Sequence, residues 1–374
     1  MKESSLLVFS MVLAAITVGC TKENTSESSE FAGIDIEVGE NAKLFILNQG
    51  AWPAGSTLDL LDLSADKYYA DIFGTANPEV AQGLGNTAND MAVINGQLWV
   101  VLNASNQIAV LNLQDARLVR YIEVDSPRYI IKKGDYAYVT SYGPAVNGSF
   151  YDVTGKLYRI HTTTFATDAI PTGFQSEGLT VSGDKLYVAN SGGYQVAPDN
   201  TVTVVDLKTF QVTGTLETPV KNLKMLFSTA EGLWLTTYAC YNADWTAVTA
   251  PMTLGKVSPD GAYTTVEGVH PDAVTLCNGY IYAIGNAEEM TNGYDMRLYK
   301  VATVNGYVQQ VPFASSDFSR IGYAYGIAVN PANGDIYVSD ANFVGDSQIH
   351  CFDAHFHWKW SKTSGVGTGP LLLW

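Results

Sequence analysis

Basic residues are scarce in this chain. Its 374 residues carry 21 Lys and Arg against 37 Asp and Glu, a formal charge of −16. So acidic a surface repels phosphate backbones and anionic headgroups, which excludes nucleic acid and a bare membrane surface as partners. Cysteine is scarce too: Cys20, Cys240, Cys277 and Cys351, with no CxxC pair. With Cys20 set apart, an odd number at that spacing excludes a disulfide framework and a zinc site. Cys277 and Cys351 lie inside apolar strands and read as buried thiols. Three of the five histidines stand in HCFDAHFHW, 350–358. His355 and His357 share a strand face, but His350 belongs to the preceding strand and a full ligand set is lacking, so no metal site is assigned. DANFVGD, 340–346, lacks the oxygen spacing of a calcium loop. No nucleophile elbow, phosphate-cradling glycine loop or HExxH occurs. Glu288 and Glu289 are adjacent and diverge. No catalytic residue is assigned, and the expectation is a protein that is not an enzyme. Helical periodicity is almost absent as well. Short alternating runs rich in Val, Tyr, Thr and Ile, broken by Gly, Asn and Asp, give an all-β signal.

The N-terminus reads MKESSLLVFSMVLAAITVGC. Lys2, an uncharged apolar run from Leu6 to Ile16, and small residues before Cys20 make a secretory signal, too short for a membrane span. The end resembles a bacterial lipobox with Thr17 where Leu is usual. Residues 1–19 are therefore expected to be removed and Cys20 to be lipidated. Residues 20–39, with the polar run TKENTSESSE, form a tether, and residues 40–374 form the folded domain. The lipid, rather than a basic face, is the expected membrane attachment.

One unit recurs seven times. A strand with a central aromatic appears as LFIL, LWVV, AYVT, LYVA, LWLT, IYAI and IYVS, centred on Phe45, Trp99, Tyr138, Tyr187, Trp234, Tyr282 and Tyr337. A following strand closes at Leu61, Leu111, Ile160, Val205, Val257, Val301 and Phe352, with closures 44 to 52 residues apart. That period predicts a seven-bladed β-propeller of four-stranded blades. Asp62, Asp206 and Asp353, just past closures, are expected to nucleate turns rather than catalyse. The first copy lacks an inner strand, and Leu371–Trp374 at the other terminus is expected to supply it and close the ring.

The two faces of such a ring differ. Turns on one face are short: NGQ at 95, SGD at 182, NGD at 333. Loops on the other are long, and long loops on a rigid scaffold carry binding. They hold Trp52, Tyr142, Phe150, Tyr151, Tyr194, Tyr238, Tyr241, Trp245, Tyr294 and Phe343. Packing over blade ends explains any one of these aromatics; together they predict an aromatic-lined basin. Connections between blades add Asn89, Asp90, Arg128, Lys221, Lys224, His270, Asp272, Arg320 and Tyr323 on that face. Arg128 and His270 are expected to act as orienting donors. The predicted ligand-binding set is thus Trp52, Arg128, Tyr142, Tyr151, Tyr194, Tyr238, Trp245, His270, Tyr294 and Phe343.

The pattern LYVANS…DNTVTVVDLKTFQV resembles the repeat of YncE-like seven-bladed propellers over about residues 40 to 374. With the signal, Cys20, Glu23 and the acidic tether, the chain is similar to surface lipoproteins of this type from Bacteroidetes. Some of these, the BtuG-like proteins, bind cobalamin and deliver it to a β-barrel transporter of the BtuB type. The resemblance implies an outer-membrane lipoprotein, at the cell surface or facing the periplasm. It implies capture of a small amphipathic ligand, cobalamin or a related corrinoid, without a resident cofactor, and hand-off to a TonB-dependent transporter. The repeat marks blade strands and carries over no ligand contact. The alternatives are a protein- or glycan-interaction propeller and a propeller enzyme, a lyase or hydrolase.

Overall fold

A computed structural model describes residues 42–51, 55–244, 246–286, 296–310 and 320–374. The predicted signal, Cys20 and tether lie outside them. The chain forms seven four-stranded antiparallel sheets, with an added hairpin in the fifth (Cys240–Tyr241 with Val248–Ala250). Each sheet is a blade of a seven-bladed β-propeller. The seven aromatic-centred strands are the second strands. Six of their seven aromatics are buried, and Tyr187 is half-buried.

Strand periodicity explains where the core sits. In Lys43–Asn48 every residue is buried. Leu44 and Ile46 pack with Tyr337, Ile349 and Cys351 of blade seven, while Phe45 and Leu47 pack with Leu98 and Val100 of blade two. Successive side chains point to opposite faces, so a strand sandwiched between two blades must be apolar on both. Similar clusters fill the other gaps between blades. The fourth strands meet water; Gln211–Glu217 is almost wholly exposed.

The ring closes as expected. Thr368–Leu373 pairs antiparallel with the first strand, Leu44 opposite Leu373 and Ile46 opposite Leu371, and Lys43 and Trp374 exchange both backbone hydrogen bonds. The turn-formers also act as expected. Asp62, Asp206 and Asp353 each accept backbone N–H bonds from the two to four residues that follow. One reading needs correction: Cys351 is buried, but Cys277 is only half-buried. It ends the inner strand Ala273–Cys277 and packs only partly against the apolar cluster between blades six and seven.

The inner strands share a local device that shapes the channel. The residue just before an inner strand is left-handed in five blades: Thr87 (φ 55), Ser126 (φ 37), Gln175 (φ 44), Asn222 (φ 62) and Gly367 (φ 67). A register shift follows within the first three residues of the strand. Blade seven shows the same shift between Ala324 and Gly326. Such bulges insert an extra residue, increase twist and re-aim side chains. Asn89, Arg128 and Tyr129, Glu177 and Gly178, Lys224 and Met225, Tyr325, and Gly369 and Pro370 occupy these shifts. Gly178 meets a spatial demand: a β-carbon there would stand 2.7 Å from the Lys224 carbonyl oxygen.

Candidate functional site

At the mouth of the channel, on the long-loop face, the re-aimed side chains meet. Arg128 of blade three donates through Nε to Glu177 Oε2 at 3.0 Å and through Nη2 to Oε1 at 3.3 Å. Its Nη1 reaches Asn89 Oδ1 of blade two at 2.5 Å, and Asn89 Nδ2 donates back to the Arg128 carbonyl at 2.6 Å. The Tyr142 hydroxyl donates to Glu177 Oε1. Glu177 is fully buried. A carboxylate there is tolerable only because a guanidinium and a phenol satisfy it. Burial works against the Arg128 charge, but Glu177 outweighs it and holds the guanidinium above its ordinary value.

The network extends around the ring. The Lys224 ammonium of blade five donates to the Asp272 carbonyl and lies 4.9 Å from the centre of the Tyr238 ring. Arg128 lies 4.7 Å over the Tyr142 ring. Burial, aided by Arg128 and opposed by Asp272 and Glu177, pulls the ammonium below its ordinary value. Asp90 accepts the Ile130 N–H at 2.9 Å, and burial pushes its carboxyl up to about 7. Burial also raises the phenols of Tyr129, Tyr142, Tyr238 and Tyr325, with the Glu177 charge adding to the effect. Groups from blades two to seven therefore share one electrostatic neighbourhood.

Two aromatic triads flank the mouth. Tyr142, Phe150 and Tyr194 stand with ring centres 5.4 to 5.9 Å apart, and Tyr323, Tyr325 and Phe343 with centres 5.5 to 6.3 Å apart. Offset and edge-on rings at these spacings are mutually stabilising. Gln175 positions the first triad. It is fully buried in the turn before Glu177, and its amide donates to the Phe150 carbonyl at 2.8 Å and the Val153 carbonyl at 3.1 Å. Asp340 positions the second, accepting the N–H groups of Gly322 (3.0 Å) and Tyr323 (2.7 Å). In both triads a ring stays in water: Tyr194 is 55% exposed and Phe343 42%.

Among the residues predicted from sequence, Arg128, Tyr142, Tyr194, Tyr238 and Phe343 fall in these assemblies. Tyr151 is exposed on the loop of the first triad, outside its ring contacts. His270 is half-buried and its Nδ1 lies 2.7 Å from the Met252 carbonyl, which ties the connection between blades five and six to the preceding loop. Trp52, Trp245 and Tyr294 lie outside the described residues. Glu177, Tyr129, Tyr325 and Gln175 were missed. Aligning the inner strands SEGL, PRYI, LKML and AYGI by repeat places Glu177 level with Arg128, Lys224 and Tyr325 and would have found two of the four. A separate cleft between blades two and three contains Asp125, whose carboxylate accepts from Lys156 (2.9 Å) and Tyr158 (2.8 Å) and is thus satisfied within the fold.

No protein-family model and no curated protein matches the chain. Solved structures do. The chain is similar to hydrazine synthase of Kuenenia stuttgartiensis, with 14% identity, 77% of this chain and 88% of that chain covered, and a TM-score of 0.57. It is similar to apo AztD from Citrobacter koseri, with 11% identity, 88% and 96% covered, and a TM-score of 0.53. It is also similar to the β-propeller domain of Cps50 (Swd1) from Myceliophteria thermophila, with 11% identity, 79% and 90% covered, and a TM-score of 0.50. At such identities the likeness shows the propeller fold alone; one of these neighbours is an enzyme by name and the others carry propellers of other kinds.

Proposed function

We propose that the chain is a ligand-binding propeller whose site is the channel mouth on the long-loop face. The observation that carries this is the Arg128–Glu177–Tyr142 network, a buried charged assembly spanning two blades between aromatic triads that keep rings in water. A fold stabilised by apolar packing between blades has no need of such an assembly, and aromatics with convergent polar groups suit a small amphipathic ligand. The finer form of this reading comes from the family resemblance: capture of a corrinoid at the outer membrane, with the chain held by a lipid on Cys20, and hand-off to a β-barrel transporter. Native mass spectrometry of the full-length chain from its own cells tests the site, and calorimetric titration with cyanocobalamin tests the corrinoid. A bound small molecule whose affinity falls in Tyr325→Ala supports the site; ligand-free protein that binds no extract fraction overturns it. No heat and no spectral change with cobalamins removes the corrinoid.

A second reading, a propeller enzyme, is favoured by Asp90 and Lys224. Burial moves one carboxyl up to about 7 and one ammonium down, toward the range that suits proton transfer at neutral pH. Turnover in lyase and hydrolase panels that disappears in Asp90→Asn would establish it, and turnover untouched by that change would reject it.

A further inference from the structure

The hydrogen-bond accounting at the mouth is lopsided. The Glu177 and Asn89 acceptors are consumed within the protein. Both Glu177 oxygens are taken by Arg128 and Tyr142, and Asn89 Oδ1 is taken by Arg128. The donors are not. Among the described residues the Lys224 ammonium, with three N–H groups, makes one hydrogen bond. The hydroxyls of Tyr129, Tyr238 and Tyr325 bond to no described group, and none of them is a buried orphan among the described residues. Their raised phenols keep their protons at neutral pH. Two of the rings already hold a cation of the protein: Tyr142 carries Arg128 and Tyr238 carries Lys224.

Resting on the reading of the mouth as the binding site, we infer that its ligand presents an anionic oxygen, a carboxylate or a phosphate ester, to the Lys224 ammonium and the surrounding tyrosine hydroxyls, with its body against the aromatic triads. The net charge of −16 does not oppose this at short range, because exposed charges more than about 8–10 Å away are screened at physiological salt. The nearer groups are Arg128, which Glu177 neutralises, and Asp272, which faces Lys224. An ammonium at the mouth of a partly enclosed site gives charge-assisted hydrogen bonds that a neutral carbonyl cannot match.

Calorimetric titration of the full-length chain at pH 7 and low salt, with benzoate, phenyl phosphate and benzamide, tests this. These probes share a ring and differ in charge. At least one anionic probe is expected to bind about tenfold or more tightly than benzamide, a difference of about 1.4 kcal/mol or more. The preferred anion distinguishes carboxylate from phosphate. The preference is expected to vanish in Lys224→Met and to persist in Lys208→Met, whose ammonium is exposed and paired with Asp184 on the opposite face. Equal binding of the three probes, binding of none, or a preference retained in Lys224→Met overturns the inference. The wild-type comparison decides even where a variant fails to fold. A neutral molecule recovered from the mouth would leave the binding site standing and remove its anionic character.

Discussion

Arg128 and Glu177 join blades three and four through a two-pronged ion pair, with Arg128 Nη2 3.0 Å from Glu177 Oε2 and the Glu177 side chain 1% exposed. Removing one member strands the other in a poorly solvated place. Glu177→Gln is therefore expected to destabilise the domain by about 3–5 kcal/mol. Replacing both residues by Met should cost less than the two single changes summed. A double-mutant cycle by urea denaturation measures this, and additive costs would show that the pair is not coupled.

The strand that closes the ring makes a similar demand at larger scale. Deleting Pro370–Trp374 uncovers the inner edge of blade one and removes Leu371, Leu372 and Leu373 from their neighbours. At about 1.5–3 kcal/mol for each apolar side chain fully buried, a loss on the order of 5 kcal/mol is expected. A melting midpoint equal to that of the full chain would refute ring closure as a source of stability.

Asp90 gives a pH dependence with a defined sign. Its carboxyl is pushed up to about 7 by burial, above its value in the unfolded chain. Between about pH 4 and 7 the native state then holds more proton than the unfolded state, so this group's contribution to stability falls as pH rises through that window. Asp90→Asn keeps an acceptor for the Ile130 N–H and removes the charge. The variant is expected to match the wild type near pH 4 and to exceed it at pH 8, by at most about 4 kcal/mol for a shift near three units. Thermal melts at the two pH values decide it, and a constant difference between them would contradict the assignment.

The triads separate binding from stability. Tyr194→Ala removes a ring that is largely in water and should change stability by less than about 1 kcal/mol. It should weaken binding of the molecule recovered from cells severalfold or more. Tyr142→Phe deletes the hydrogen bond to the buried Glu177 and should cost about 1–3 kcal/mol. Equal effects on melting from both changes would undo this division.

Much of the architecture was legible because it is written in short-range order. Seven aromatic-centred strands, closures of the strands that follow them 44 to 52 residues apart, Asp at turn starts and an apolar tail without a partner already implied seven blades and a ring closed by the C-terminus. Those features depend on alternation and turn chemistry, which a chain displays locally. Cys277 escaped because an apolar neighbourhood does not show that a residue ends its strand, where only part of its side chain is covered.

The mouth was legible only in part. The sequence by itself determined which loops are long, that they share one face, and that aromatics and Arg128 lie on it. Only the tertiary structure decided that Glu177, unremarkable in SEGLTV, neutralises Arg128 from the next blade, and that His270 meets the Met252 carbonyl. The reason is physical. A bulge near the start of six of the inner strands re-aims side chains, and residues dozens of positions apart then share a site whose low solvent access sets their charges. Those charges and pairings belong to the ring and to no single stretch of the chain.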